Sequence, residues 1–257
     1  MATSEDQLAG RIALVTGVSR PEGIAATIAQ RLHDEGAAVM ATGWPAHDAE
    51  MPWGAQPLPD LAFPVLRHDL SEPDGAPELI REVVATHGGL DIVVATHARS
   101  SHDSLDNVTV DELDRCWTTN VRSVVQLAQE FCRVHRPRID GAPAGRMIWF
   151  TSGQAHGPMD GEIAYAVSKG ALHQMTASID HAVERHGIIA NCINPGPVDT
   201  GYASAAVHAA VAGQFPEGRW GTPDDIAGVV AFLVGDSGSW IRGQVLDVDG
   251  GFGYGHV

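Results

Sequence analysis

Seven short runs of β-forming residues, separated by stretches of helical periodicity, leave this chain of 257 residues few folds to choose from. Strands joined through a helix run in the same direction, so the alternation predicts parallel βαβ units. The runs are 11–16, 37–42, 64–68, 90–96, 146–151, 188–194 and 244–248. Between them, 23–35 places Ile24, Ile28 and Leu32 on one helical face and is stopped by Gly36. Further helices are expected at 76–87, closed by Gly88-Gly89, at 109–134 and at 163–186. Thr109 and Glu112 have the spacing of a capping box, and Thr222-Pro223-Asp224-Asp225 opens the last helix. No linker or repeat divides the chain. The expectation is one α/β domain over 1–257, a doubly wound, mostly parallel seven-stranded sheet flanked by helices, with 1–9 a frayed tail.

Composition excludes several classes of function. A formal charge of −16 lacks the basic footprint that nucleic-acid binding needs. No apolar run approaches the roughly 20 residues of a membrane span. The first ten residues are polar and acidic, unlike a signal peptide, so a cytoplasmic protein is expected. Cys116, Cys132 and Cys192 are scattered, which argues for buried thiols in a reducing compartment rather than disulfides or zinc. There are 13 histidines but no HExxH, and no metal site is expected. Two stretches are irregular. Residues 43–63 carry Pro45, Pro52, Pro57 and Pro59, which rule out a long helix, and 136–145 reads as a surface insertion.

Two motifs carry chemistry. TGVSRPEGIA (16–25) joins the first strand to the first helix, where a backbone poor in side chains can approach a pyrophosphate at a helix N-terminus. Tyr165 and Lys169, four apart, share one helical face, and Lys169 is the only lysine in the chain. An ammonium beside a phenol favours the phenolate and prepares it to exchange a proton near neutral pH. Ser152 follows the fifth strand at its C-terminal end, where α/β sheets carry their sites.

With Ser152 thirteen residues before Tyr165 in AYAVSKGAL, the chain resembles the short-chain dehydrogenase/reductase family from about residue 10 to 251. The family's TGxxxGxG turn aligns with Gly23-Ile24-Ala25 if Pro21 and Glu22 are extra and Ala25 replaces the last glycine. The resemblance implies a Rossmann domain and hydride transfer between a nicotinamide and a carbonyl or secondary alcohol. It implies Asn120 (in TTNVRS), Ser152, Tyr165 and Lys169 as catalytic residues, with Asn120 holding a water that relays protons to Lys169. It places the cofactor on Gly17, Ser19, Arg20, Gly23, Ile24, Gly43, Trp44, Asp69, Leu70, Ala95, Tyr165 and Lys169, and on Pro195, Gly196, Val198 and Thr200 of NPGPVDT. One departure stands out: Ala95-Thr96-His97-Ala98 replaces the family's NNAG, and His97 is read as a structural side chain.

NADP(H) is favoured over NAD(H), because the second strand ends Ala41-Thr42-Gly43-Trp44 with no acid for an adenosine ribose and Arg20 can meet a 2′-phosphate. Asp48 or Glu50 folding back would instead favour NAD(H). The substrate is expected against Ser152, Tyr165, Gln154, His156 and Tyr202, with 200–220 as a lid whose alanines and valines form an apolar wall. The chain looks like 3-oxoacyl-(acyl-carrier-protein) reductase-like members. Enoyl reductases place their tyrosine about seven residues before the lysine, where this chain has Glu162. A non-catalytic NAD(P)-binding redox sensor is the reading from another class. The family's habit implies a homotetramer or homodimer through the two long helices.

Overall fold

The computed structural model describes residues 7–51, 53–57, 60–136, 145–201 and 203–252. Seven strands form one sheet in the order β3-β2-β1-β4-β5-β6-β7, with every pairing parallel. They are β1 (Ile12–Thr16), β2 (Ala38–Gly43), β3 (Val65–Arg67), β4 (Ile92–Ala95), β5 (Gly145–Phe150), β6 (Ile188–Asn194) and β7 (Val245–Asp247). Every residue of β4, β5 and β6 is buried, which explains why these strands read as continuous rather than alternating runs.

Helices cover both faces. On one, α1 (Ile24–Asp34) and α8 (Pro223–Val234) bury Ile28, Leu32, Ile226 and Val230 against β1 and β4. On the other, α3 (Gly75–His87), α5 (Ser123–Val134) and α6 (Ile163–Val183) bury Leu79, Leu127, Phe131 and Leu172 around Trp149. Of the expected helices, 109–134 differs most. It is α4 (Val110–Cys116), a π-helical segment Trp117–Arg122, and then α5. Thr109 caps α4 by accepting from the Glu112 N–H at 3.1 Å, but Glu112's carboxylate binds Arg99 instead of reaching back. The reciprocal box does form at Thr222 and Asp225.

Two other expectations need correction. Within the stretch read as a frayed tail, Leu8 is fully buried and its N–H donates to Glu35 O at 2.8 Å; residues 1–6 lie outside the described residues. The proline-rich stretch opens with a short helix, α2 (Pro45–Glu50), because Pro45 sits at its first position, where no N–H is needed. Residues 137–144 of the expected insertion also lie outside the described residues. No helix among the described residues is long and apolar enough to cross a membrane.

Candidate active site

The strand order reverses between β1 and β4, and the crevice outside the carboxyl ends of such strands is where open α/β sheets bind ligands. A cleft of about 1060 Å³ opens there. Its lining includes Gly17, Ser19, Arg20, Gly23 and Ile24 from the first turn, Gly43 and Trp44 after β2, and Asp69 and Leu70 after β3. It continues through Ser152, Tyr165, Pro195, Gly196, Val198 and Thr200. Residues far apart in the sequence converge because parallel strands deliver every βα loop to one edge.

The turn suits a dinucleotide. Gly17 has φ +85°, and a Cβ there would lie 2.7 Å from the His97 nitrogen, so no side chain fits between β1 and β4. Gly23 precedes α1 and offers no side-chain cap, so the first amides of α1 remain for an anion, and Ile24 and Ala25 line the cleft. The hydroxyls of Thr42 and Thr96 are buried without a hydrogen-bond partner on residues that line the cleft. Such orphaned groups cost about 1–3 kcal/mol each unless a ligand satisfies them. Asp69 accepts from the Ser71 N–H at 2.8 Å and its hydroxyl at 2.6 Å, which shapes the loop after β3.

Several expectations about the lining are corrected. Ala95 is buried as the last residue of β4; Thr96, His97 and Ala98, which follow the strand into the loop, line the cleft in its place. Gln154 does not line the cleft, since its amide bonds Thr151 Oγ1 at 2.9 Å and the Ser152 N–H at 3.1 Å. Tyr202 lies outside the described residues. Among the described side chains, the helix α7 (Ala205–Ala212) contributes none to the lining. Apart from His208, which pairs with Asp199 at 3.1 Å, its sequence is alanine and valine, and Val207 is exposed. His156, Pro158, Met159 and Phe252 are in the lining instead.

Lys169 lies beneath the cleft rather than on its surface. It is 3% exposed, its Nζ donates to Phe150 O at 2.9 Å, and that nitrogen lies 5.5 Å from the centre of the Tyr165 ring. Burial lowers its pKa from 10.5 to about 8, so the ammonium persists at neutral pH. Asn120, in the π-helical segment, is fully buried. Its Oδ1 accepts from the Arg99 N–H at 2.6 Å, and its Nδ2 donates to Arg99 O at 3.0 Å and Ser168 Oγ at 2.8 Å. Its side chain is therefore committed to framework contacts.

His97 bridges the two sides. Its Nδ1 is 2.6 Å from Thr16 Oγ1 and its Nε2 is 2.7 Å from Ser123 Oγ. Ser123 donates to Thr119 O, so Nε2 carries the proton and Thr16 donates to Nδ1. Burial, aided by Lys169, holds the pKa of His97 at about 3, and the ring stays neutral. His156 Nε2 pairs with Asp247 Oδ1 at 2.8 Å, which also accepts from Asn194. His156, Asp247 and Asp249 bring possible ligand atoms within 4.8 Å of one another, but two of the three are spent on that pair.

The lining around Arg20 is charged. Arg20 donates to Thr200 Oγ1 at 3.2 Å and Thr200 O at 3.4 Å, and its guanidinium lies 5.3 Å from the Trp53 ring centre. Trp53 Nε1 donates to Asp48 Oδ1 at 2.7 Å. Arg99, nearly buried, forms ion pairs with Glu112 at 2.8 Å and Glu50 at 2.9 Å, and Arg115 reaches Glu50 at 3.0 Å. Arg99, Thr42 and Thr96 carried no signal in the sequence, since a lone arginine or threonine at a strand end looks like surface.

A family profile described as Enoyl-(Acyl carrier protein) reductase matches residues 17–253. The Bacillus subtilis oxidoreductase YjdA is 33% identical over 244 residues, covering 94% of this chain and 96% of its own. A solved short-chain dehydrogenase/reductase from Serratia marcescens superposes with a TM-score of 0.81 at 31% identity, covering 96% and 99% of the two chains. A short-chain dehydrogenase of Burkholderia cenocepacia, solved in complex with NADP, gives 0.80 at 31% identity over 95% and 98%. The cleft at the switch point and these likenesses over nearly the whole length agree: the chain belongs to the short-chain dehydrogenase/reductase family of NAD(P)-dependent oxidoreductases.

Proposed function

We propose that this chain is an NADP(H)-preferring carbonyl reductase or alcohol dehydrogenase in which Tyr165 transfers the proton. The observation that carries the reading is a buried ammonium, Lys169, 5.5 Å from the ring of a tyrosine that shares the cleft with Ser152. When bound, a reduced nicotinamide supplies the hydride. Ser152 and Tyr165 hydrogen-bond the substrate oxygen, and Tyr165 gives it a proton. Lys169 stabilises the negative charge left on the phenol oxygen, and Asn120 holds the surrounding framework in register. Acid–base assistance of this kind is worth about 10²–10⁴ in rate, and alignment of the reactants supplies the rest. Pro195, Gly196, Val198 and Thr200 would hold the nicotinamide end, and the first amides of α1 a phosphate.

Preference for NADP(H) is supported by the relative solved with NADP and by the commitment of Asp48 to Trp53 and Glu50 to two arginines. Arg20, whose contacts are with Thr200 and Trp53 rather than with an acid, can meet the phosphate. The substrate is a small carbonyl compound or alcohol held near Ser152, Tyr165 and His156. The segment 200–220 serves as a flap, anchored by Phe215 and by Trp220, which stacks on His208. Val110, Leu113, Trp117, Val125 and Val167 expose apolar surface on the two long helical stretches, which supports a homodimer or homotetramer there. The three free thiols fit a reducing, cytoplasmic setting. Enoyl reduction is disfavoured by Glu162 standing seven residues before Lys169. Competing NADPH and NADH titrations followed by a carbonyl and alcohol panel test the proposal. Turnover with NADPH is expected; cofactor binding without turnover of any compound would instead favour a redox sensor.

A further inference from the structure

Helix α6 starts without a side-chain cap of its own, for Glu162 makes none. The first amides of a helix have no partner within it and must find one elsewhere. Here the loop after β4 supplies them. The Ile163 N–H donates to Asp103 O at 3.3 Å, the Ala164 N–H to Asp103 Oδ1 at 3.1 Å and the Tyr165 N–H to Ser101 Oγ at 3.1 Å. The Asp103 N–H returns to Gly161 O at 3.0 Å. Tyr165 is the third residue of α6, within the turn that frays most readily.

The carbonyl of Tyr165 is held as well. Ser168 Oγ donates to it at 2.7 Å and accepts from Asn120 Nδ2 at 2.8 Å. Asn120 in turn grips both backbone groups of Arg99, two residues before Ser101. A closed ring results: Asn120, Arg99, Ser101, Tyr165, Ser168 and back to Asn120. Ser101, Asn120 and Ser168 are all buried, so no water competes for these bonds.

We propose that Ser101 and Ser168 are positioning residues for the reaction, fixing Tyr165 through its own N–H and C=O. The inference rests on Tyr165 being the proton-transferring residue. Neither serine needs to touch substrate. Each removes freedom from the backbone that aims the phenol, and a misplacement of about 1 Å at a reacting group can cost about 10²-fold in rate. The buried amide of Asn120 joins the two halves of the ring, setting the height of the β4 loop and of α6 together.

Steady-state kinetics of Ser101→Ala, Ser168→Ala and Ser101→Thr, with NADPH and the best carbonyl substrate of the wild type, test the ring. NADPH affinity and circular dichroism are measured beside them. We expect kcat to fall about tenfold in each alanine variant while KM and NADPH affinity stay within about twofold. Ser101→Thr, which keeps the accepting oxygen, should recover most of kcat. The double alanine variant should lose less than the product of the single losses, because both act on one peptide segment. Wild-type kcat in either alanine variant, no recovery in Ser101→Thr, or a parallel loss of NADPH affinity would overturn the proposal. Should Ser101→Ala not fold, Ser101→Cys keeps the size, weakens the acceptor and serves the same comparison. Tyr165→Phe separates the two claims. If it turns over like the wild type, the role of Tyr165 fails; if it is inactive while the serine variants are normal, only the ring fails.

Discussion

Around Tyr165 the cleft rests on a closed set of buried, mostly neutral hydrogen bonds, whereas around Arg20 it rests on partly exposed charges that could exchange partners. Ser101, Asn120 and Ser168 have no water to turn to, so their geometry is held firmly. Arg20 reaches Thr200 at 3.2 Å and lies over Trp53, contacts that a bound phosphate could replace at modest cost. On the function proposed above, chemistry that demands sub-ångström placement sits on the first kind of wall, and recognition of a ligand that arrives and leaves sits on the second.

The sharpest way to break this contrast is at the phenol. Tyr165→Phe should lower kcat by about 10²–10⁴ while leaving NADPH affinity unchanged, measured by stopped-flow turnover and fluorescence titration. A loss of cofactor affinity instead would show the two walls to be coupled. Lys169→Met comes next. Turnover should fall by about 10²-fold, yet thermal stability at pH 7 should rise, because a buried charge has been removed. The ammonium is destabilised by burial, with a pKa of about 8 against 10.5, so the folded state binds fewer protons between those values. Wild-type stability should therefore gain with pH from about 8 to 10.5, and Lys169→Met should lose that gain.

On the charged side the effects should be smaller. Arg20→Ala should weaken NADPH by about tenfold, the scale of one charge-assisted hydrogen bond, and NADH by less. Equal weakening of both would move Arg20 from the 2′-phosphate to the shared diphosphate. The smallest effect on turnover is expected at His97, whose part is in stability. His97 titrates near 3 when folded and near 6.5 when unfolded, so stability should decline as pH falls from about 6.5 toward 3. His97→Asn should shallow that acid-side slope in a series of chemical denaturation curves.

Much of the site is legible in the sequence for a physical reason. The spacing Tyr165-x-x-x-Lys169 lies on one helix, and Ser152 lies just past the end of a strand whose apolar run is plain. The glycine turn is legible too, because Gly17 must have a positive φ against the backbone of His97. Gln154 is misplaced by sequence reasoning because adjacency to Ser152 says nothing about which way an amide turns, and its two hydrogen bonds to residues 151 and 152 decide that. Glu112 follows the same course: its spacing from Thr109 predicts a reciprocal cap, but a buried guanidinium is the stronger partner for a carboxylate.

The sequence alone determined the order of strands and helices, the face that carries Tyr165 and Lys169, and the absence of an acid at the end of β2, for these follow from local periodicity and residue type. Only the tertiary structure decided that Asp48 and Glu50 are already engaged, that His97 stays neutral, and that α6 is capped by a loop some 60 residues upstream. Those outcomes depend on desolvation and on partners distant in the chain, and neither is written in a window of neighbouring residues.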